Sequence, residues 1–224
     1  MATHARARLL DTAEALFYAE GIRAVGVERI LAASGVGRAS FYRHFAGKDA
    51  LAVAVLTRHD RDWRDWLAAR VAELGGHPLA VFDALAERFA REGFRGCAFL
   101  NTMLETADRD SPAHRVAAAH KRRVAGYLAG LLAAAGHPPD LARQLLLLMD
   151  GATVTALREG APAPAAEARA IAAALLAAAP SSEGPPPEEP QPGPSPGEPP
   201  SEEPQPGPSP EGPSSEEPQP GPSP

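Results

Sequence analysis

The chain has 224 residues and a formal net charge of −6, with 22 Lys and Arg against 28 Asp and Glu. All 22 bases lie in residues 1–179 beside 19 of the acids, so this body is weakly positive (+3); residues 180–224 carry nine Glu and no base, and the acidic total therefore does not exclude nucleic acid as a partner. A single cysteine excludes an intramolecular disulfide and fits a reducing cytoplasm, while the most apolar run, 145–149, is too short to cross a membrane.

Arg6 and Arg8 lead into an amphipathic stretch rather than an apolar one, so no signal peptide is expected. From there to residue 179 apolar residues recur at spacings of three and four, and alternating β-branched runs are absent, which predicts an all-α fold. The first helix is expected over about 5–20, with Leu9, Ala13, Leu16 and Phe17 inward and Gly21 as its stop. The second covers about 27–33 with Val27, Ile30 and Leu31 inward. Ser34-Gly35-Val36-Gly37 makes a tight turn into a short third helix, 38–45, whose Phe41 and Phe45 share one face. A long fourth helix, 48–74, ends at Gly75-Gly76. Pro78 opens a fifth that runs to Arg91, and a loop with Gly96-Cys97 leads to a sixth over 98–107. Ser111 caps and Pro112 begins a seventh that continues to about residue 135. Pro138-Pro139 open an eighth that ends near Gly160, and 163–179 form an alanine-rich ninth.

The tail differs in kind. It holds 19 of the 25 prolines and repeats Glu-Glu-Pro-Gln-Pro-Gly-Pro-Ser-Pro from Glu188, Glu202 and Glu216. With nothing to bury, it is expected to be disordered or extended; its nine Glu could lower non-specific DNA affinity by repulsion, and a neutral linker is the competing reading. The chain thus divides into a three-helix unit (1–47), a larger helical unit (48–179) and the tail (180–224).

Residues 25–48 have the build of a helix-turn-helix that reads duplex DNA. Arg29, Arg38, Arg43 and Lys48 are bases with no acid between them, and His44 lies among them, a composition suited to phosphate contact. With Phe41 and Phe45 anchoring the third helix, Arg38, Ala39, Ser40, Tyr42, Arg43 and His44 are left for its other faces. Small Ala39 permits close approach, Arg can pair bidentately with guanine, and Ser and Tyr hydroxyls can bond phosphate or base. Arg29 suits a phosphate better than a base.

The stretch from Val27 to Leu51, above all Phe41-Tyr42-Arg43-His44-Phe45 followed by Lys48-Asp49-Ala50-Leu51, resembles the signature of the TetR family of bacterial regulators. The resemblance implies that Tyr42 and Lys48 hold phosphates, that Arg38, Ala39, Ser40, Arg43 and His44 face base edges or flanking phosphates, and that helices after the fourth form a domain for small-molecule binding and dimerisation. Gly26 and Gly37 depart from the pattern, because Ser or Thr usually caps those two helices. Dimerisation is also expected because one short helix spans only a few base pairs and a two-fold dimer reaches successive grooves. Its expected interface is the last two helices, through Leu141, Leu145, Leu148, Met149, Ala152, Ala156 and Leu157 on one, and Ile171, Leu175 and Leu176 on the other; an intrachain core is the competing reading.

Candidate effector-pocket walls are Trp63, Trp66, Phe82, Phe89, Phe94, Phe99, Met103, Leu104 and Tyr127, with Asn101, Thr102, Glu105 and Asp150 as polar groups among apolar stretches. Plain core packing competes at each. Cys97, after Arg95-Gly96 at a helix start, could be a reactive thiol or an inert buried one. No metal-ligand spacing, phosphate loop or nucleophile motif is present, so no cofactor is expected. The function expected is a cytoplasmic, homodimeric regulator, most simply a repressor released from operator DNA by a small molecule. A helical enzyme or carrier with a vestigial DNA-binding bundle, and a non-specific DNA binder, are the alternatives.

Overall fold

Helical periodicity in the sequence is met by helices throughout the computed structural model, which describes residues 2–106 and 108–179, with side chains from His4 onward. The repeat tail, 180–224, lies outside the described residues. Nine α-helices are described: α1 Ala2–Glu20, α2 Val27–Ser34, α3 Arg38–His44, α4 Lys48–Glu73, α5 Ala80–Phe89, α6 Ala98–Glu105, α7 Pro112–Ala134, α8 Ala142–Glu159 and α9 Ala163–Ala178.

Most boundaries fall within a residue or two of those expected, and the exceptions have local causes. α5 begins at Ala80, because Pro78 and Leu79 form a preceding turn, and it ends at Phe89 before Gly93 with φ 74°. The residues expected to open α8, Pro138-Pro139, instead lead into a 3-10 turn, Pro139–Leu141. α6 stops at Glu105, since Thr106 is extended. Ser111 caps α7 as read: its hydroxyl accepts from the His114 N–H at 3.2 Å, with Pro112 in the first turn.

Two main cores result. The first joins Leu9, Ala13 and Phe17 of α1, Ile30 of α2, Val36, Phe41, Phe45, and Leu51 and Val55 of α4. Fully buried Phe41 alone contributes about 2–3 kcal/mol of apolar transfer. The second core joins Leu67 and Val71 of α4 with α5, α7, α8 and α9. Leu56 of α4, Phe99 of α6 and Ala117 of α7 form a smaller cluster.

One buried polar centre sits within this apolar frame. Asp60 of α4 accepts from His120 Nδ1 (2.8 Å), Arg64 (3.1 and 3.3 Å) and Arg123 (2.9 Å). Burial opposes its ionisation, but the bonds from Arg64 and His120 prevail and hold its carboxyl below the usual range. The His120 ring stacks on Phe99 at 3.6 Å and meets Trp63 edge-on at 5.0 Å. Burial pushes the His120 imidazole down to about 4 despite Asp60, so it is neutral at pH 7 and Nδ1–H donates.

A depressed histidine resists protonation in the folded chain but not in the unfolded one. Its stabilising effect is therefore complete above pH 6.5 and is lost as pH falls from 6.5 towards 4. Urea denaturation across that window should show a loss of up to about 1.4 kcal/mol per pH unit from this group. His120→Gln should flatten that slope. An unchanged slope would mean that His120 is not the responsible group.

Candidate functional site

The first candidate surface is built around α3. Phe41 is fully buried and Phe45 nearly so, which fixes the helix and turns Arg38, Ala39, Tyr42 and Arg43 to solvent, while Ser40 and His44 are half-buried. Tyr42 is 51% exposed, with its ring edge-on to Phe41 at 5.1 Å, so it is not a packed core aromatic. Gly35 turns the chain in the left-handed conformation (φ 63°) between the two helices. The Ser34 hydroxyl accepts from the Val36 N–H at 3.3 Å and steadies the turn. Gly26 and Gly37 occupy the N-cap positions of α2 and α3, where no side chain caps either helix.

Acid-free in sequence, the basic stripe is not acid-free in space. Arg38 pairs with Glu28 from the first turn of α2, and Arg29 pairs with Glu20 from the end of α1 at 3.3 Å. Both pairs are solvent-exposed, so each is worth at most about 1 kcal/mol and can yield to a phosphate. Lys48 is tied back more firmly than expected. Its Nζ donates to the backbone carbonyls of Ile22 (3.0 Å) and Arg23 (3.4 Å), closing the turn between α1 and α2.

Contacts that the sequence did not disclose join this unit to the rest. Arg58 of α4 donates to Asp11 (2.7 Å) and to Glu14 of α1, and His59 Nδ1 lies 2.8 Å from Glu14. The hydrogen bond from His59, with Arg58 assisting, holds the Glu14 carboxyl below its usual range against burial. The Tyr18 hydroxyl accepts from the Arg95 N–H at 2.8 Å and donates to the Gly96 carbonyl at 3.3 Å. Glu105, at the end of α6, accepts from the Arg23 N–H at 2.9 Å. A Cβ on Gly21 (φ 91°) would come within 2.9 Å of that same carboxylate. The backbone conformation requires glycine there, and a Cβ would in addition push the Glu105 carboxylate aside.

The candidate pocket residues are not all brought together. A cavity of about 450 Å³ lies between α1, α4, the α5–α6 loop and α6, and it contains Phe94, Asn101, Thr102 and Glu105. Trp63, Phe89, Phe99 and Asp150 border a second space inside the larger core, together with Cys97, the N-cap residue of α6. That space, about 30 Å³, has room for a water or two and is too small for an effector. Asp150 is ion-paired to Lys121 there. Tyr127 and Trp63 border a separate cleft of about 130 Å³.

Four expected walls border none of these spaces. Phe82 is fully buried in the larger core; Trp66 packs on that core and faces the guanidinium groups of Arg88 and Arg91, each 5.5 Å from its ring. Met103 packs on the cluster of Leu56 and Phe99, and Leu104 points outward, 85% exposed. No helix among the described residues is long and apolar enough to cross a membrane. No cluster of His, Cys, Asp and Glu suited to a metal is present among them.

The expected dimer seam is also redistributed. Leu145, Met149, Ala152, Ala156 and Leu176 are consumed by the intrachain core, and Leu141 and Leu148 pack against it. What α8 and α9 leave exposed is Leu147 (65%), Val154 (55%) and Ile171 (52%), with Leu157 at 44%.

Comparison with known proteins decides the family. The family described as "Bacterial regulatory proteins, tetR family" matches residues 9–55. The solved structure of a TetR-family transcriptional regulator from Streptomyces coelicolor is 36% identical, with a TM-score of 0.72, over 78% of this chain and 89% of that one. The chain belongs to the TetR family of transcriptional regulators. Among curated relatives, the HTH-type transcriptional repressor NemR of Escherichia coli K12 is 29% identical over 108 residues, 46% of this chain and 54% of its own length. The transcriptional repressor KstR2 of Mycobacterium tuberculosis is 36% identical over 97 residues, 38% of this chain and 46% of its own. The chain thus spans about half the length of the curated relatives it matches.

The crowding at Gly21 gives a direct check on the joint between α1 and α6. Gly21→Ala should destabilise the chain by about 1–3 kcal/mol, because it adds left-handed strain to a clash with Glu105. Gly21→Ala combined with Glu105→Ala should recover the part due to the clash. Equal thermal midpoints for the single and double variants would show that the contact carries no weight.

Proposed function

We propose that this chain is a ligand-responsive repressor that binds a specific operator duplex as a homodimer. The observation that carries this reading is α3: a short helix pinned by two buried phenylalanines that presents Arg38, Ala39, Tyr42 and Arg43 outward. Arg38, Ala39, Ser40, Arg43 and His44 act towards bases or flanking phosphates, while Arg29, Tyr42 and Lys48 act on phosphates. The transcriptional repressors among the relatives support the same reading. The two readers are set one helical turn of DNA apart by a four-helix bundle of α8 and α9 from each subunit, closed over Leu147, Val154 and Ile171. Effector binding favours a spacing of the readers that no longer fits successive grooves, which releases the operator.

Salt-dependent gel shift on the gene's own upstream region, against random DNA, tests specificity; equal affinity for both would leave only a non-specific binder. Arg43→Ala should relax base preference, whereas Lys48→Ala should weaken binding to every sequence. Glu28→Gln should raise affinity several-fold at low salt by freeing Arg38 from its intramolecular partner. Unchanged affinity in that variant would remove Arg38 from the DNA contacts. Val154→Glu with Ile171→Glu should yield a monomer in analytical ultracentrifugation and weaken operator binding; a persisting dimer would move the interface elsewhere.

A further inference from the structure

The interior of the larger core has room for water only, whereas the roomy cavity of about 450 Å³ has one wall from α1, a helix of the DNA-reading unit. Its apolar lining comes from both units: Phe17 and Ile22 from the reader, Val55 and Leu56 from α4, and Phe94 from the α5–α6 loop.

The charges around it are unequally satisfied. Asp11 and Glu14 are taken by Arg58, Glu14 also by His59, and Glu105 by the Arg23 N–H. Arg88, in the last turn of α5, makes no hydrogen bond or ion pair to a carboxylate or carbonyl among the described residues; its guanidinium lies over the ring of Trp66, 5.5 Å from the centroid. It is half-buried, and burial pulls its guanidinium below the ordinary arginine value. Arg91 and Glu92 at the rim are both exposed. The lining as a whole sets Arg58, Arg88 and Arg91 against Asp11, Glu14, Glu92 and Glu105, so Arg88 is a local, partly desolvated guanidinium without an ion-pair partner rather than an excess of positive charge.

We infer that this cavity is an effector site for an apolar carboxylate, its anionic end held by Arg88 and its apolar body between α1 and α4. An Arg fork suits a carboxylate bidentately, and the aliphatic and aromatic lining suits a hydrocarbon or aryl body. Occupancy acts on the joint directly. The hydrogen bonds of Tyr18 to Arg95 and Gly96, and of Arg23 to Glu105, cross the same cavity edge, so a ligand that wedges α1 from α6 shifts the reader without passing through the larger core. This inference rests on the ligand-responsive reading above and names its site and ligand class.

The test uses the full chain at pH 7.5, with 2-naphthoate, 2-naphthylmethanol and 2-naphthylmethylamine as probes in isothermal titration calorimetry. The carboxylate should bind at least about tenfold tighter than the alcohol, and the amine weaker still, as expected for one charge-assisted pair. Arg88→Met should erase the preference for carboxylate while leaving alcohol binding in place, and Arg88→Lys should keep part of it. Lys121→Met, in the small central space, should change nothing. Equal binding of the three probes by the wild-type chain, or a preference that survives Arg88→Met or falls with Lys121→Met, overturns the site; the wild-type comparison stands even where Arg88→Met fails to fold. Gel shift is read separately. Specific DNA binding without carboxylate selectivity sinks the site alone, and carboxylate selectivity without specific DNA binding sinks the regulator reading alone.

Discussion

One helix belongs to every core of this molecule, and the rest of the structure follows from that constraint. α4 has 26 residues, about 39 Å of rod, and buries Leu51 and Val55 with the reader, Leu56 with α6 and α7, and Leu67 and Val71 with the larger core. A rod shared this way cannot move in one unit without disturbing the next. Asp60 lies between these burial zones and binds α4 to α7 through His120 and Arg123. Arg58 and His59, just before it, bind α4 to α1. Three consecutive polar residues thus hold one segment of α4 against both of its neighbours.

Such an arrangement makes the α1–α6 edge of the joint polar, while α4 is joined to both units through apolar contacts. Hydrophobic cores resist small displacements because close packing penalises any gap. Hydrogen bonds at a partly hydrated edge, such as those of Tyr18 and Glu105, can be exchanged for water at little net cost. Motion is therefore expected at the α1–α6 edge before it is expected within either core. Phe41 and Phe45 fix α3 within its core, so any such motion would carry the reader as a body.

Helix positions and the helix-turn-helix were legible because period, glycine and proline spacing act locally. Phe41 and Phe45 could be assigned inward from their spacing alone, and Gly26 and Gly37 could be recognised as caps without side-chain bonds. Less was legible wherever the answer depends on which helices meet. Leu145, Met149 and Ala156 carry the same apolar pattern whether they face α5 and α9 or a second subunit, so their assignment to a dimer seam failed on topology. Phe82 and Trp66 looked like pocket walls because aromatic character does not say whether a space lies beside it. Glu28 and Glu20 escaped attention because only folding brings them to Arg38 and Arg29. The wall that α1 lends to the 450 Å³ cavity had no local signal, although Glu14 on α1 and Arg58-His59 on α4 are complementary charges on adjoining helices.

The two acids against the reader's arginines have a bearing on how such a chain would find its target. A duplex that offers only its backbone must displace Glu20 and Glu28 with no reward from base edges, so its hold is brief. A cognate site meets the same toll and exceeds it through the bases it presents to α3. The ratio of the two affinities is untouched, but the time wasted on the wrong sequence shortens, and a larger share of the molecules stays free to search. A pair of weak surface ion pairs, negligible for folding, would then set the pace of target search along the chromosome.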